Sequence, residues 1–198
     1  MESQTDFDYT IKLLLVGDSS VGKTNFIYQF IEHKFSQVYM TTTGIDLKYS
    51  SIELKNKKIR IQLWDTAGQE KYKAITKNLF LKAQGILVVY DITDESSFLN
   101  LKTWIKTIKE ECGSHMPVII VGNKNDLEDQ RTVDKNDAIS YAKQLKLEYI
   151  ECSSKTGDNI EKAISLIAEK VLESSELVND FSFTLDASKE FNKKKKCC

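Results

Sequence analysis

At 198 residues, with 41% apolar residues and a formal net charge of -1, the chain has room for one domain with a substantial core and a tail. Near-neutrality gives no global attraction to nucleic acid, so none is expected as a partner, and an electrostatic partner must be met by a local patch. The N-terminal MESQTDFDYT has neither a basic flank nor an apolar stretch, and no apolar run reaches the roughly 18 residues of a membrane span. The chain is therefore expected in the cytosol, where Cys112 and Cys152 read as reduced core thiols. His33 and His115 stand without ligand spacing to those cysteines, which argues against a zinc site.

Taken in chain order, the first element is the aliphatic run IKLLLV (11–16), a buried strand. It leads through GDSSVGKT into a helix. IDLKYSSIEL (45–54) and KIRIQLW (58–64) follow, joined only by KNK. That link is too short for a parallel crossover, so the pair is predicted to be an antiparallel hairpin at one sheet edge. GILVVYD (85–91) is a further buried strand, and Phe98, Leu101, Trp104, Ile105 and Ile108 then recur at helical spacing. Pro117 opens the strand VIIVG (118–122), where its missing N–H does no harm. A weaker helical pattern (Ala138, Ala142, Leu145), the strand LEYIEC (147–152) and a strong helical stripe from Ile160 to Leu172 complete the series. Apolar strands alternating with amphipathic helices imply an α/β fold with a mostly parallel sheet covered on both faces. The domain is expected to span 1–173. Residues 174–198 read as a flexible tail, with FSFTL (181–185) apolar enough to dock on something.

The segment after the first strand is G-x-x-x-x-G-K-[ST], with Gly17, Gly22, Lys23 and Thr24 at the fixed places and with strand and helix on the sides the motif requires. A phosphate chain needs dense donors without side-chain bulk. Backbone N–H groups of Asp18, Ser19, Ser20, Val21, Gly22, Lys23 and Thr24 supply them, and the helix adds its positive end. Lys23 then reaches the outer phosphates and the Thr24 hydroxyl takes one Mg²⁺ position.

Which nucleotide is addressed by GNKND (122–126), at the carboxyl end of a buried strand. The Asp126 carboxylate can accept from the two adjacent N–H groups of guanine, a pair adenine lacks. Asn123 can bridge the base edge to the loop, and the stem of Lys124 can cover one base face. CSSK (152–155) follows the next strand. LWDTAGQE (63–70) supplies Asp65 for the magnesium shell, the Gly68 N–H for a γ-phosphate and Gln69 to position an attacking water. YMTTTGID (39–46) offers a second hydroxyl for the metal, Thr42.

Together these residues resemble the Ras superfamily of small GTP-binding switches, over roughly residues 9–173 and with all five nucleotide motifs in order. WDTAGQEKY and TGIDLK are most similar to the Rab branch. The resemblance implies a P-loop NTPase fold, a six-stranded sheet with one antiparallel strand and five helices. It implies that Phe35 stacks edge-on against guanine, that Tyr39 caps the phosphates, and that Ser153, Ser154 and Lys155 buttress the base. It also implies a GTPase in vesicle traffic, with an exchange factor, a GTPase-activating protein, a GDP-dissociation inhibitor, a Rab escort protein and effectors that read the switch loops. Thr43, Leu47, Lys71 and Tyr72 replace the isoleucine, phenylalanine, arginine and phenylalanine of the Rab pattern, on the surface partners read.

The two arginines, Arg60 and Arg131, lie in segments that should not reach the γ-phosphate. Slow intrinsic hydrolysis is therefore expected, accelerated by a protein that inserts an arginine; in Ras that is worth about 10⁵-fold. NKKKKCC is not a C-a-a-X signal, but Cys197 and Cys198 resemble the Rab signal for two geranylgeranyl groups. Two lipids make a durable anchor where one does not, and Lys193–Lys196 would add about 1 kcal/mol each near an anionic leaflet. The chain is thus expected on the cytoplasmic face of an intracellular membrane, with a cytosolic pool. Two other readings remain open at this point: a nucleotide-holding scaffold without useful hydrolysis, and an adenine-nucleotide enzyme, against which Asp126 stands.

Overall fold

A computed structural model describes residues 7–36, 45–66 and 79–174, with backbone alone at 45, 46 and 66. Strand β1 (Tyr9–Val16) shows why a run of four aliphatic residues is needed. Leu13 and Leu15 point into one buried cluster while Leu14 and Val16 point into another, on the opposite face. A strand covered on both sides cannot alternate apolar with polar.

Helix α1 (Lys23–Glu32) covers the first face with Phe26, Ile27 and Phe30. It shares that face with α5, residues 160–174, through Ile160, Ala163, Ile164, Ile167, Ala168 and Val171. The other face is covered by α2 (Glu95–Leu99), α3 (Leu101–Cys112) and α4 (Lys135–Leu145), with Leu101, Ile105, Ile108, Ala138 and Ala142 inward. Each such large side chain contributes about 1.5–3 kcal/mol by leaving water. Asp94 and Asp134 start α2 and α4 by accepting N–H bonds in the first turn, the usual satisfaction of unpaired helix donors.

Strands β2 (Ile45–Leu54), β3 (Lys57–Thr66), β4 (Gly85–Asp91), β5 (Val118–Asn123) and β6 (Glu148–Glu151) complete a six-stranded sheet of order β2-β3-β1-β4-β5-β6. All pairings are parallel except β2 with β3, whose register runs from Ile45 opposite Thr66 to Leu54 opposite Lys57. The predicted edge hairpin is present and tighter than expected. Its turn is Lys55-Asn56 alone, at φ 53° and 60°, the left-handed pair that matches strand twist. Lys57 is already in β3. The single helix expected around Phe98–Ile108 is instead two, α2 and α3, meeting at Asn100, whose backbone stays helical (φ -71°, ψ -14°).

Connections leave β1 toward β2 and β3 on one side and return to β4 on the other. The crevice beyond the carboxyl ends of β1, β3, β4, β5 and β6 is therefore the switch point where an α/β sheet takes its ligand. No helix among the described residues is long and apolar enough to cross a membrane.

Candidate functional site

The loop Gly17–Gly22 joins β1 to α1 at the centre of this crevice. Gly17 (φ 142°) lies so close to β4 that a Cβ there would strike the Val89 carbonyl, and Gly22 (φ 97°) leaves room for the Asn123 side chain alone. These two glycines let the loop pass against β4 and Asn123 where a side chain would not fit. Lys23, only 5% exposed, donates its ammonium to the carbonyls of Gly17 (2.7 Å) and Asp18 (2.6 Å). Burial pulls its pKa down to about 8, against the attraction of Asp65 and Asp18. Ser19 and Ser20 form the exposed turn of the loop, Ser20 at φ 65°. Val21 is buried, and Thr24 sits in the first turn of α1.

Asn123 ends β5 fully buried and connects the loops. Its Nδ2 donates to the Val21 carbonyl (2.8 Å), and its Oδ1 accepts from the Ser154 N–H (3.1 Å) and hydroxyl (3.0 Å). Its polar atoms thus join the phosphate-type loop to the Ser153–Lys155 loop. Asp126 stands in the 3₁₀ turn Asn125–Gln130 and is aimed by Ser153, whose hydroxyl donates to Oδ1 at 2.6 Å, while the Lys155 ammonium lies 3.9 Å from Oδ2. Ser153 Oγ in turn accepts from the N–H groups of Lys155 and Thr156. Lys124, at φ 67°, is pinned by an ion pair to Asp91 at the end of β4 (2.5 Å). Asp91 also accepts from the Thr93 N–H and hydroxyl, which anchors the carboxylate that holds the lysine.

Behind these loops runs a polar chain that the sequence reading did not anticipate. Arg131 grips Glu128 on the 3₁₀ turn (2.8 and 2.6 Å) and Glu151 at the end of β6 (3.0 Å to each oxygen). Lys135 adds a second cation to Glu151 at 3.3 Å. Tyr149 donates to Glu151 (2.6 Å) and shares a hydrogen bond with the Tyr90 hydroxyl (2.8 Å). Gly122 leaves space for both phenols, since a Cβ there would lie 2.9 Å from one oxygen and 3.0 Å from the other. Burial raises the Glu151 pKa, but the hydrogen bonds from Arg131 and Tyr149 outweigh it and hold the carboxyl below its ordinary value. Burial pushes the Tyr90 phenol up to about 12.

Of the residues singled out in the sequence, the structure brings together Asp18–Thr24, Asn123, Lys124, Asp126, Ser153, Ser154 and Lys155. Asp65, buried at the end of β3, acts electrostatically on Lys23. Phe35 lies beyond α1, 39% exposed, in a stretch held by reciprocal hydrogen bonds between Asn25 and the Ser36 backbone. Tyr39, Thr42, Thr43, Gly68, Gln69, Lys71 and Tyr72, and the tail with FSFTL, Cys197 and Cys198, lie outside the described residues. Neither arginine is available as a finger: Arg131 is held as above, and the Arg60 guanidinium lies over the rings of Tyr49 (4.7 Å) and Phe7 (5.7 Å).

The Ras family model matches residues 12–173. The Ras-related protein Rab-13 of Canis lupus familiaris is 44% identical over 166 residues, 84% of this chain and 82% of its own. The Ras-related protein Rab-8B of Homo sapiens is 43% identical over 166 residues, 84% of this chain and 80% of its own. The GTP-binding protein ypt2 of Schizosaccharomyces pombe is 40% identical over 181 residues, 91% and 90% of the two chains. With a six-stranded sheet, its one antiparallel pair at the edge and a glycine-rich loop at the switch point, the chain belongs to the Rab branch of the Ras superfamily of small GTPases.

Proposed function

We propose that the crevice holds GTP or GDP, with the loop Asp18–Thr24 around the phosphates and Asp126 on the guanine edge. The observation that carries this reading is Asn123, which joins the phosphate-type loop to the Ser154 loop while Ser153 aims Asp126. A phosphate cradle and a carboxylate for paired N–H donors are thereby built into one rigid unit. Lys23, now occupied by two loop carbonyls, would exchange them for phosphate oxygens, and the Lys124 stem would cover the base.

Thr24, Thr42 and Asp65 are the residues that would hold Mg²⁺. Hydroxyl and carboxylate oxygens are the hard donors it prefers, and few protein ligands suffice because phosphates and water complete its shell. The ion supplies charge neutralisation on the phosphates. Gln69 positions the water that attacks the γ-phosphate. Thr42 and Gly68 order their loops only while that phosphate is present, so partners that touch those loops distinguish the GTP from the GDP state.

Around this cycle we place an exchange factor, a GTPase-activating protein that supplies the missing arginine, a GDP-dissociation inhibitor, an escort protein and effectors that direct vesicle traffic. Cys197 and Cys198 are the candidate lipid sites, with Lys193–Lys196 attracted to an anionic leaflet. Replacing both cysteines by serine is expected to release the protein from membranes on fractionation.

The direct test of the site is to purify the protein, denature it and chromatograph what is released. Stoichiometric GDP or GTP is the expected result. ATP, ADP or no nucleotide from folded protein in magnesium buffer would sink the assignment of Asp126.

A further inference from the structure

Asp18 puts a carboxylate in the second position of a loop that has to receive polyanionic phosphate. Both of its side-chain oxygens are engaged from the opposite wall of the crevice. Asn100 Nδ2 donates to Oδ2 at 2.6 Å and the Trp104 indole N–H donates to Oδ1 at 2.8 Å. These contacts span 82 and 86 residues of sequence and are short, as expected of hydrogen bonds to a charged acceptor. Asn100 is the joint between α2 and α3, and Trp104 lies four residues on, so both donors share one face of the helix.

The same Asp18 is tied to Lys23 from its backbone side, where its carbonyl accepts the ammonium at 2.6 Å. Its negative charge also acts on that ammonium. A carboxylate without the two donors would be drawn toward Lys23 and would compete with phosphate for it.

We propose that Asn100 and Trp104 form a clamp that turns the Asp18 carboxylate away from the phosphate cradle, making them positioning residues for nucleotide retention. The inference rests on the reading of Gly17–Thr24 as that cradle. It explains why the loop tolerates an acid close to its lysine. The clamp also connects the cradle mechanically to α2 and α3, so a partner gripping those helices has a route to the nucleotide that bypasses the switch loops.

The test is a double-mutant cycle on full-length protein, read as the rate at which a fluorescent GDP is released into excess unlabelled GDP. Trp104→Phe keeps the aromatic volume and removes one donor; Asn100→Ala removes the other from an exposed site. Each is expected to speed release about tenfold, the scale of one hydrogen bond to a charged group. In an Asp18→Ala background, Trp104→Phe is expected to add nothing further, because the carboxylate it restrains is gone. Unchanged release in both single variants would overturn the clamp. So would an equal acceleration by Trp104→Phe with and without the Asp18 carboxylate, which would show packing alone. Should Trp104→Phe not fold, Asn100→Ala in the two backgrounds decides on the same terms. Lys23→Met separates the clamp from the reading beneath it. If that variant holds fluorescent GDP as tightly as the wild type, the cradle assignment fails; if it loses GDP while the donor variants release it normally, only the clamp fails.

Discussion

Lys23 is a cation kept in a place that disfavours cations. Burial pulls its pKa down to about 8, so it is largely charged at neutral pH and loses its charge as pH rises above 8. Bound phosphate raises that pKa, so binding takes up a proton above pH 8, and affinity should fall in that window while staying flat below it. Isothermal titration of GDP between pH 7 and 9, in buffers of different ionisation enthalpy, measures both the loss and the proton. Gly17 is subject to a harder constraint, because a Cβ at φ 142° would meet a backbone carbonyl of β4 that cannot move alone. Gly17→Ala is expected to cost about 3 kcal/mol or more of stability, seen as a lowered thermal midpoint. The spacing of Gly17, Gly22, Lys23 and Thr24 made this loop legible in sequence because its chemistry is local. Asp91, Asn100 and Trp104 were not legible as site residues, since their partners Lys124 and Asp18 are set by how helices and strands pack.

At the scale of elements, the loops that carry Asp126 and Ser153–Lys155 follow β5 and β6, and Arg131 holds them together through Glu128 and Glu151. Removing the guanidinium leaves Glu151 buried with its charge poorly compensated, for which about 3 kcal/mol is a reasonable cost. Arg131→Met is therefore expected to lower stability by that order in urea titration and to speed nucleotide release. The pH dependence has a definite sign. Glu151 has a folded pKa below its ordinary value, so its contribution is present above that ordinary value and is lost as pH falls through the folded one. In Arg131→Met the acid-unfolding midpoint should move to higher pH. The elements themselves were well marked in sequence, because strands buried on both faces and helices with a single apolar stripe leave different periodicities. The Asn100 joint was hidden by a stripe that runs through it unbroken, and the network around Glu151 by side chains 20 residues apart in sequence.

For the whole molecule, the proposed cycle requires hydrolysis to be slow until a partner intervenes. Both arginines are structurally committed, Arg131 to two carboxylates and Arg60 to two aromatic rings. With Gln69 positioning the attacking water, as proposed above, Gln69→Leu should slow the single-turnover release of phosphate from preloaded GTP by tenfold or more. An unchanged rate would remove Gln69 from that role. The apolar stripe of the last helix was legible in the sequence to about residue 172, and α5 runs to 174 in the structure.

The hairpin of β2 and β3 has a further meaning for how such a switch is read. Ile45 and Thr66 face each other across the ladder, so the segments carrying Thr42 and Gln69 leave the sheet from neighbouring strand ends although more than 20 residues separate those strand ends along the chain. We propose that one binding surface at this end of the sheet takes both signals at once, so that the paired strand ends make a coincidence detector. A partner docking on this end would then respond to the agreement of two loops rather than to either alone, which would sharpen its discrimination between nucleotide states without any added affinity.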